Sequence, residues 1–250
     1  MSDVTQIKPY DNTAGTDKSE QVRQMFDNIA PAYDFMNRAM TMGIDRWWRR
    51  VAVKRVARMA PQQVLDAATG TGDFALLLCR KIAGVHVTGI DLSQGMLDVA
   101  RQKAERAGLS QRVTFTQGDC LQLPLATGSM DAVTIAFGVR NFAALEQGLS
   151  ELCRVLRPGG MLCVLELSVP TNAVARWFYN LYTLHIIPAV GSLIAHDRAA
   201  YRYLPLSIAA APQGEAMTAL MEQAGFEQCT FRRLTLGTCT LYTGTKKEST

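Results

Sequence analysis

Residues 64–75 read VLDAATGTGDFA, and the fold turns on this stretch. Val64–Ala67 is an apolar run of strand type, Thr69–Gly72 a tight glycine turn, and a helix opens at Asp73. Glycines at 70 and 72 put no Cβ between the backbone and a ligand lying against it. The helix start behind them offers unpaired N–H groups to an electronegative atom. Strand, glycine turn and helix in that order describe a nucleotide-type cofactor site at the edge of a parallel sheet.

Outward from this stretch the chain alternates in the α/β manner. Helices are expected at Asp73–Ile82, Ser93–Ala107, Phe142–Leu156 and Gly214–Ala224, with Ser93 as an N-cap and Gly108 ending the second of them. Strands are expected at Val85–Ile90, Val113–Gln117, Ala132–Ala136 and Met161–Glu166. Phe226–Leu234 and Thr238–Thr245 are joined by a short glycine-containing turn, which requires an antiparallel pair. The expected fold is α/β: a Rossmann-like, mostly parallel twisted sheet ending in an antiparallel hairpin, with helices on both faces.

Residues 1–17 read as a flexible tail and 18–250 as a single domain. Within that domain 18–60 forms an N-terminal helical cap. Its last helix, DRWWRRVAVKRVARM, interleaves Trp47, Trp48, Val51, Ala52 and Val56 with six basic residues. That pattern has two readings: a basic amphipathic helix resting on an anionic membrane, or a core-packed helix with a solvated basic face.

The composition sets outer limits. With 48% hydrophobic and 19% charged residues in 250, the chain has the makings of one folded core. A net charge of +4 is too mild to call for nucleic acid. The six cysteines form no CxxC pair and the three histidines have no ligand-like spacing, so no metal site is expected. The polar start, MSDVTQIKPYDNTAG, does not read as a signal peptide, and no run is long and apolar enough to span a bilayer. A cytoplasmic setting is the expectation.

Gly70-Thr71-Gly72-Asp73-Phe74-Ala75 satisfies G-x-G-x-x-A, so an NAD-linked oxidoreductase is a real rival. Asp73 argues against it, because a carboxylate in the first helical turn repels a pyrophosphate. A ligand with an ammonium and a sulfonium and no phosphate, S-adenosylmethionine, suits Asp66 and Asp73 better. Asp91, about 20 residues past the glycines, is placed to hold ribose hydroxyls in either case. Asp119 and the Cys120 N–H would match the donor and acceptor on an adenine edge.

The series LDAATGTGD, GIDLS, GDCLQLP and ELCRVLRPGG resembles the class I S-adenosylmethionine-dependent methyltransferases. More narrowly, MFDNIAPAYDFMN, MGIDRWWRR, AFGVRNF, VLELSVP and AYRYLPLSI resemble the ubiquinone/menaquinone biosynthesis C-methyltransferases, from about residue 20 onward. Carried over by motif, the family's cofactor contacts fall on Thr71, Asp91, Asp119 and Cys120. The resemblance implies C-methylation of a demethylated, polyprenylated benzo- or naphthoquinol, with 171–206 as a lid over an apolar acceptor pocket.

A phenolic proton with a pKa of about 10 leaves only about 0.1% of a quinol ionised at pH 7. Bringing that pKa to about 7 takes roughly 4 kcal/mol of selective anion stabilisation, within reach of one desolvated cation. Arg140 in AFGVRNF, directly after the fourth strand, is the candidate; its rival reading is a salt bridge to a carboxylate. Asn141 would orient the acceptor, and Asp34 or water would take the proton. Tyr33, Tyr201 and Tyr203 are second-tier candidates for lining the ring, and His185 and His196 weaker candidates as bases. A non-catalytic member of a quinone-synthesis assembly is the third reading.

Overall fold

In the computed structural model, which describes residues 4–10, 16–183 and 198–248, the glycine turn follows the central strand of a seven-stranded sheet. Strand β1 (Gln63–Ala67) is paired in parallel with β2 (His86–Asp91) on one side and β4 (Met130–Ala136) on the other. Beyond them lie β3 (Val113–Gln117) and β5 (Leu156–Leu167), also parallel. The last strands, β6 (Phe226–Leu234) and β7 (Cys239–Lys246), form an antiparallel hairpin. The order is β3-β2-β1-β4-β5-β7-β6, so β7 slots between β5 and its own hairpin partner. Both the parallel sheet and the terminal hairpin are as the sequence implied.

The period of two along each central strand sorts its side chains between two cores. Val64, Cys163 and Leu165 join a core with Trp48, Phe74, Leu78 and Leu97. Leu65, Leu162 and Val164 face the opposite core with Leu149, Leu152 and Met221. The first core is covered by α3 (Asp45–Ala57), α4 (Asp73–Lys81) and α5 (Gln94–Arg106), and the second by α6 (Leu145–Val155) and α9 (Glu215–Gln223). The remaining helices are α1 (Lys18–Ile29), α2 (Tyr33–Thr41), α7 (Ala173–Leu181) and α8 (Arg198–Ala210). Ser93 caps α5 as expected, its hydroxyl accepting from the Met96 N–H.

Beyond shifts of one or two residues at element ends, the structure departs from the sequence reading in three places. Helix α6 begins at Leu145 rather than Phe142, because Val139–Asn141 forms a separate 3₁₀ turn. Strand β5 begins at Leu156, and Arg157–Gly160, read as a helix stop, lies within it. A register shift between Met130 and Ala132 takes up those extra residues. Residues 4–10, read as part of a flexible tail, are packed: Val4 is buried and its carbonyl accepts from Lys18 Nζ at 2.7 Å. Helix α3 packs by Trp48, Ala52 and Val56, while Trp47, Arg46 and Arg50 remain exposed.

Gly72 is the tightest point of the turn. Its φ of +77° is left-handed, and a Cβ there would sit 2.9 Å from the Phe115 ring and 3.0 Å from Ala100. The residue lets α4 and α5 close on the sheet, a packing role rather than a ligand-facing one. Gly72→Ala is expected to lower unfolding free energy by about 2 kcal/mol, from left-handed strain plus overpacking. Urea titration followed by circular dichroism measures it, and an unchanged midpoint would remove this role.

Candidate active site

A cleft opens where β1, β2 and β4 end. Gly70, Asp91, Asp119, Cys120 and Ala136 line it from the sheet side, and Phe26 and Tyr33 close it from α1 and α2. Tyr33 lies edge-on to Phe26 with ring centroids 5.9 Å apart. A Cβ on Gly70 would meet only the Tyr33 ring, at 3.9 Å, so the glycine backbone faces the cleft. Asp91 anchors the floor: Oδ2 accepts from the Gly70 N–H at 2.8 Å and Oδ1 from the Ser93 N–H at 2.9 Å. Burial raises its pKa above the ordinary carboxylate value, although these N–H donors favour the charged form. Asp119 also faces the cleft and accepts from the Leu121 N–H at 2.8 Å. Burial pushes the Cys120 thiol well above its usual pKa, so it stands there as a neutral wall.

The other acids of the turn are engaged elsewhere. Asp34 Oδ1 accepts from the Thr71 hydroxyl at 2.5 Å, and Oδ2 pairs with Lys103 Nζ at 2.7 Å. Lys103 also pairs with Asp73, whose pKa is lowered: burial would raise it, but the ammonium outweighs that. Asp34, read as a proton acceptor, is therefore not brought to Arg140 and Asn141. It latches α2 to the glycine turn instead, and it occupies the Thr71 side chain in doing so. Asp66, read as a cofactor contact, lies beneath the turn, where Thr69 Oγ1 donates at 2.6 Å and Thr134 Oγ1 at 2.7 Å. Neither Asp66 nor Thr71 nor Gly72 lines the cleft.

A second, larger cavity of 740 Å³ lies on the other side of Tyr33. Its wall is mostly methionine, isoleucine, leucine and aromatic side chains from α1, α2, α7 and α8. Phe26, Tyr33, Phe137 and Asn141 line both spaces and so form the junction between them. Arg140 lies on the cavity wall, buried, with its Nη1 donating to Glu166 Oε1 at 2.6 Å and to the Phe137 carbonyl at 2.5 Å. Its Nε has no hydrogen-bond partner among the described residues. Burial alone would lower the Arg140 pKa, yet the Glu166 carboxylate raises it overall, so the group stays charged. The salt bridge expected of Arg140 is thus present, and the residue lines the cavity as well.

Asn141 Oδ1 accepts from the Tyr203 hydroxyl at 3.1 Å. Burial pushes Tyr203 and Tyr179, both on the cavity wall, up to about 12, and raises Tyr33 as well, so all three present neutral hydroxyls at pH 7. His185 and His196 and most of the 184–197 part of the lid lie outside the described residues, as does the Tyr201 side chain. Glu166 and Phe137 were assigned no role from sequence. Glu166 had a signal in VLELSVP, where a lone acid closes an apolar strand. Phe137 adopts a left-handed φ of 63° at the head of the sheet, a strained position of the kind found at functional sites.

The family model of the ubiE/COQ5 methyltransferase family matches residues 14–246. The chain belongs to that family. The oxidoreductase reading of G-x-G-x-x-A falls with this: the protein is a methyltransferase. The chain is 49% identical over 240 residues to a demethylmenaquinone methyltransferase of Bacteroides fragilis, covering 96% of this chain and 97% of that one. It is 46% identical over 220 residues to the enzyme of the same name from Thermus thermophilus, covering 88% and 99%. It is 42% identical to the ubiquinone/menaquinone biosynthesis C-methyltransferase UbiE of Geotalea daltonii over 92% of this chain and 98% of that one. Among solved structures, a Haemonchus contortus phosphoethanolamine N-methyltransferase in complex with S-adenosyl-L-methionine superposes with a TM-score of 0.67 at 15% identity, over 94% of this chain and 61% of that one. The [4+2]-cyclase SpnF gives 0.62 at 19% identity, over 92% and 97%. A cyclase and a methyltransferase on one scaffold show that the fold alone does not choose the reaction.

Asp66 makes a measurable prediction for this methyltransferase. Burial raises its pKa to about 6 against the two threonine hydroxyl bonds, above the unfolded value of about 3.9. The unfolded chain therefore gives up this proton at lower pH than the folded one. The stabilising effect is full below about pH 3.9 and is lost as pH rises through 6, roughly 3 kcal/mol in all. Asp66→Asn should remove this component, so the mutant gains stability relative to wild type from pH 4 to pH 7. Parallel urea titrations at the two pH values test it; a difference independent of pH would refute it.

Proposed function

We propose that the chain methylates a ring carbon of a demethylated polyprenyl quinol, demethylmenaquinol or its benzoquinol counterpart, with S-adenosylmethionine as donor. The observation that carries this reading is the position of Arg140: a buried, charged guanidinium on the wall of a large apolar cavity, one residue from the junction with the cofactor cleft. The names of the relatives above support it.

The cleft suits the donor. The Gly70 backbone is open to it, Asp91 offers carboxylate lone pairs for ribose hydroxyls, and Asp119 stands where an adenine amino group would find an acceptor. Bound there, S-adenosylmethionine supplies an electrophilic methyl group on a sulfonium. The cleft has 60 Å³ free, against the roughly 300 Å³ and more typical of ligand pockets. Phe26 and Tyr33 must therefore give way on binding, with the Asp34–Lys103 latch setting how far α2 moves.

The cavity suits the acceptor. Methionine and leucine side chains accommodate a prenyl chain, and Arg140 holds the quinol oxygen as an anion, which makes the neighbouring ring carbon nucleophilic. Asn141, oriented by Tyr203, aligns the ring at the junction so that carbon and methyl meet in line. Exclusion of water by the apolar walls strengthens the guanidinium's effect on the anion.

The cavity mouth carries Met42, Phe178, Leu181 and Leu236, all exposed, with Met42 at 84% and Leu236 at 81%. Trp47, Arg46 and Arg50 stand exposed on α3. No helix among the described residues is long and apolar enough to cross a membrane. We read the mouth as resting on the cytoplasmic face of an anionic bilayer, from which a prenylated substrate can enter without crossing water. Trp47→Glu with Met42→Glu should weaken co-sedimentation with anionic phospholipid vesicles by tenfold or more; retention equal to wild type would rule out this face.

Activity is tested with labelled methyl donor and each demethylated quinol, reduced and oxidised. Label should enter the reduced acceptors only. Arg140→Ala should bind donor as wild type does and lose about 10²–10³ in turnover, whereas Asp91→Ala should lose donor binding by calorimetry. A wild-type rate in Arg140→Ala would end its role.

A further inference from the structure

The acceptor cavity has one carboxylate on its described wall, Asp45, and one guanidinium, Arg140. Asp45 is buried, 2% exposed, as the first residue of α3, and it was assigned no role above. One of its oxygens pairs with Arg49, whose guanidinium lies 5.2 Å from the centre of the Phe137 ring. Arg140 holds the carbonyl of the same phenylalanine. The acid and the cation are thus tied to the two ends of Phe137, a junction residue.

The other oxygen of Asp45 is 3.0 Å from Thr41 Oγ1, while that hydroxyl is 2.7 Å from the Asn37 carbonyl. A hydroxyl has one proton to give. When it goes to the Asn37 carbonyl, Thr41 Oγ1 is left able to accept from a protonated Asp45. The surroundings therefore serve both forms of the acid: Arg49 pairs with the carboxylate, and Thr41 receives the carboxyl proton. A group provided for in both states is suited to holding a proton briefly.

We infer that Asp45 is the general base of the reaction, accepting the proton of the quinol hydroxyl. The inference rests on the quinol reading above. The O–H electron pair stays on oxygen, the proton passes to Asp45, and the ring carbon forms its bond to the methyl group while sulfur keeps the S–C pair. The methylated ring carbon then releases its own hydrogen as a proton to water, and Asp45 returns its proton to the oxygen. One proton is released per turnover and Asp45 ends as it began. Arg140 holds the developing anion throughout.

Two readouts test this on the full-length chain. In the first, made without methyl donor, 1,4-dihydroxynaphthalene and its dimethyl ether are titrated anaerobically. Wild type should prefer the diol, and Asp45→Asn should shrink that preference about tenfold, the scale of one hydrogen bond to a charged acceptor. In the second, Asp45→Asn should lower kcat with reduced demethylated quinol about 10²–10³-fold with donor affinity intact. Because Asp45→Asn leaves Arg49 buried and unpaired, the double variant Asp45→Asn with Arg49→Gln is measured beside it and should remain as slow. Recovery of turnover in the double variant, or an undiminished diol preference in the single one, would overturn the assignment and leave Asp45 as a partner for Arg49 alone. A wild-type chain that methylates no quinol would remove the underlying reading, which the diol titration does not depend on.

Discussion

A guanidinium cannot be buried alone, and this molecule buries two of them around a single phenylalanine. Arg140 pairs with Glu166 and Arg49 with Asp45, with Phe137 between them, its carbonyl on one and its ring on the other. Removing either carboxylate would leave an uncompensated interior charge, a penalty of about 3–5 kcal/mol. That constraint fixes where β5 must carry its acid, how α3 must lie across the sheet and why the 139–141 turn is held so firmly. Glu166 accepts from the Arg140 backbone N–H as well as from its side chain, and Lys18 donates to the carbonyls of Arg140 and Phe142. The left-handed Phe137 is held against its own backbone preference by these contacts.

The same logic sorts charge between the two halves of the site. The cleft side faces Asp91 and Asp119, whose lone pairs are partly met by backbone N–H groups, leaving capacity for hydroxyl and amino donors. Lys103 is shared between the acids nearest the glycine turn, Asp34 and Asp73, with Arg38 3.9 Å from Asp73, so the turn presents less negative charge than its composition suggests. Across the junction the wall is apolar apart from a few polar groups, and there one cation has a large effect because so little solvent opposes it. The ring of Tyr33 divides the two regimes.

Much of this was legible in the sequence for identifiable reasons. The glycine turn, the mostly parallel sheet implied by alternating elements and the terminal hairpin follow from local pattern, and local pattern is what a single chain displays. Arg140 and Asn141 were legible because they follow β4 directly, so the topology alone brings them to the head of the sheet. The place of Asp66 was not legible because it lies one residue deeper than the motif suggests: the strand's alternation puts it under the turn with Thr69 and Thr134. The partners of Asp34 were not legible because its direction depends on how α2 leaves the break near Pro31, and nothing in the residue string sets that angle. Glu166 acquires meaning only when β5 and the 139–141 turn meet, 26 residues apart in the chain. Arg157–Gly160 reads as a helix stop, yet a register shift absorbs it into β5, because ladder pairing outweighed the local turn signal.

The position of β7 has a consequence for how the protein is made. Strand β5 pairs with β7 from Met161↔Thr245 to Leu167↔Cys239, and Thr240 stands opposite Glu166 itself. The residues that complete the neighbourhood of this carboxylate thus lie far downstream of it in the chain and leave the ribosome long after it. While they are still in the exit tunnel, β5 is an open edge and its acid lacks one flank. The nascent chain can therefore order the parallel strands and the glycine turn before β7 arrives to close the β5 edge.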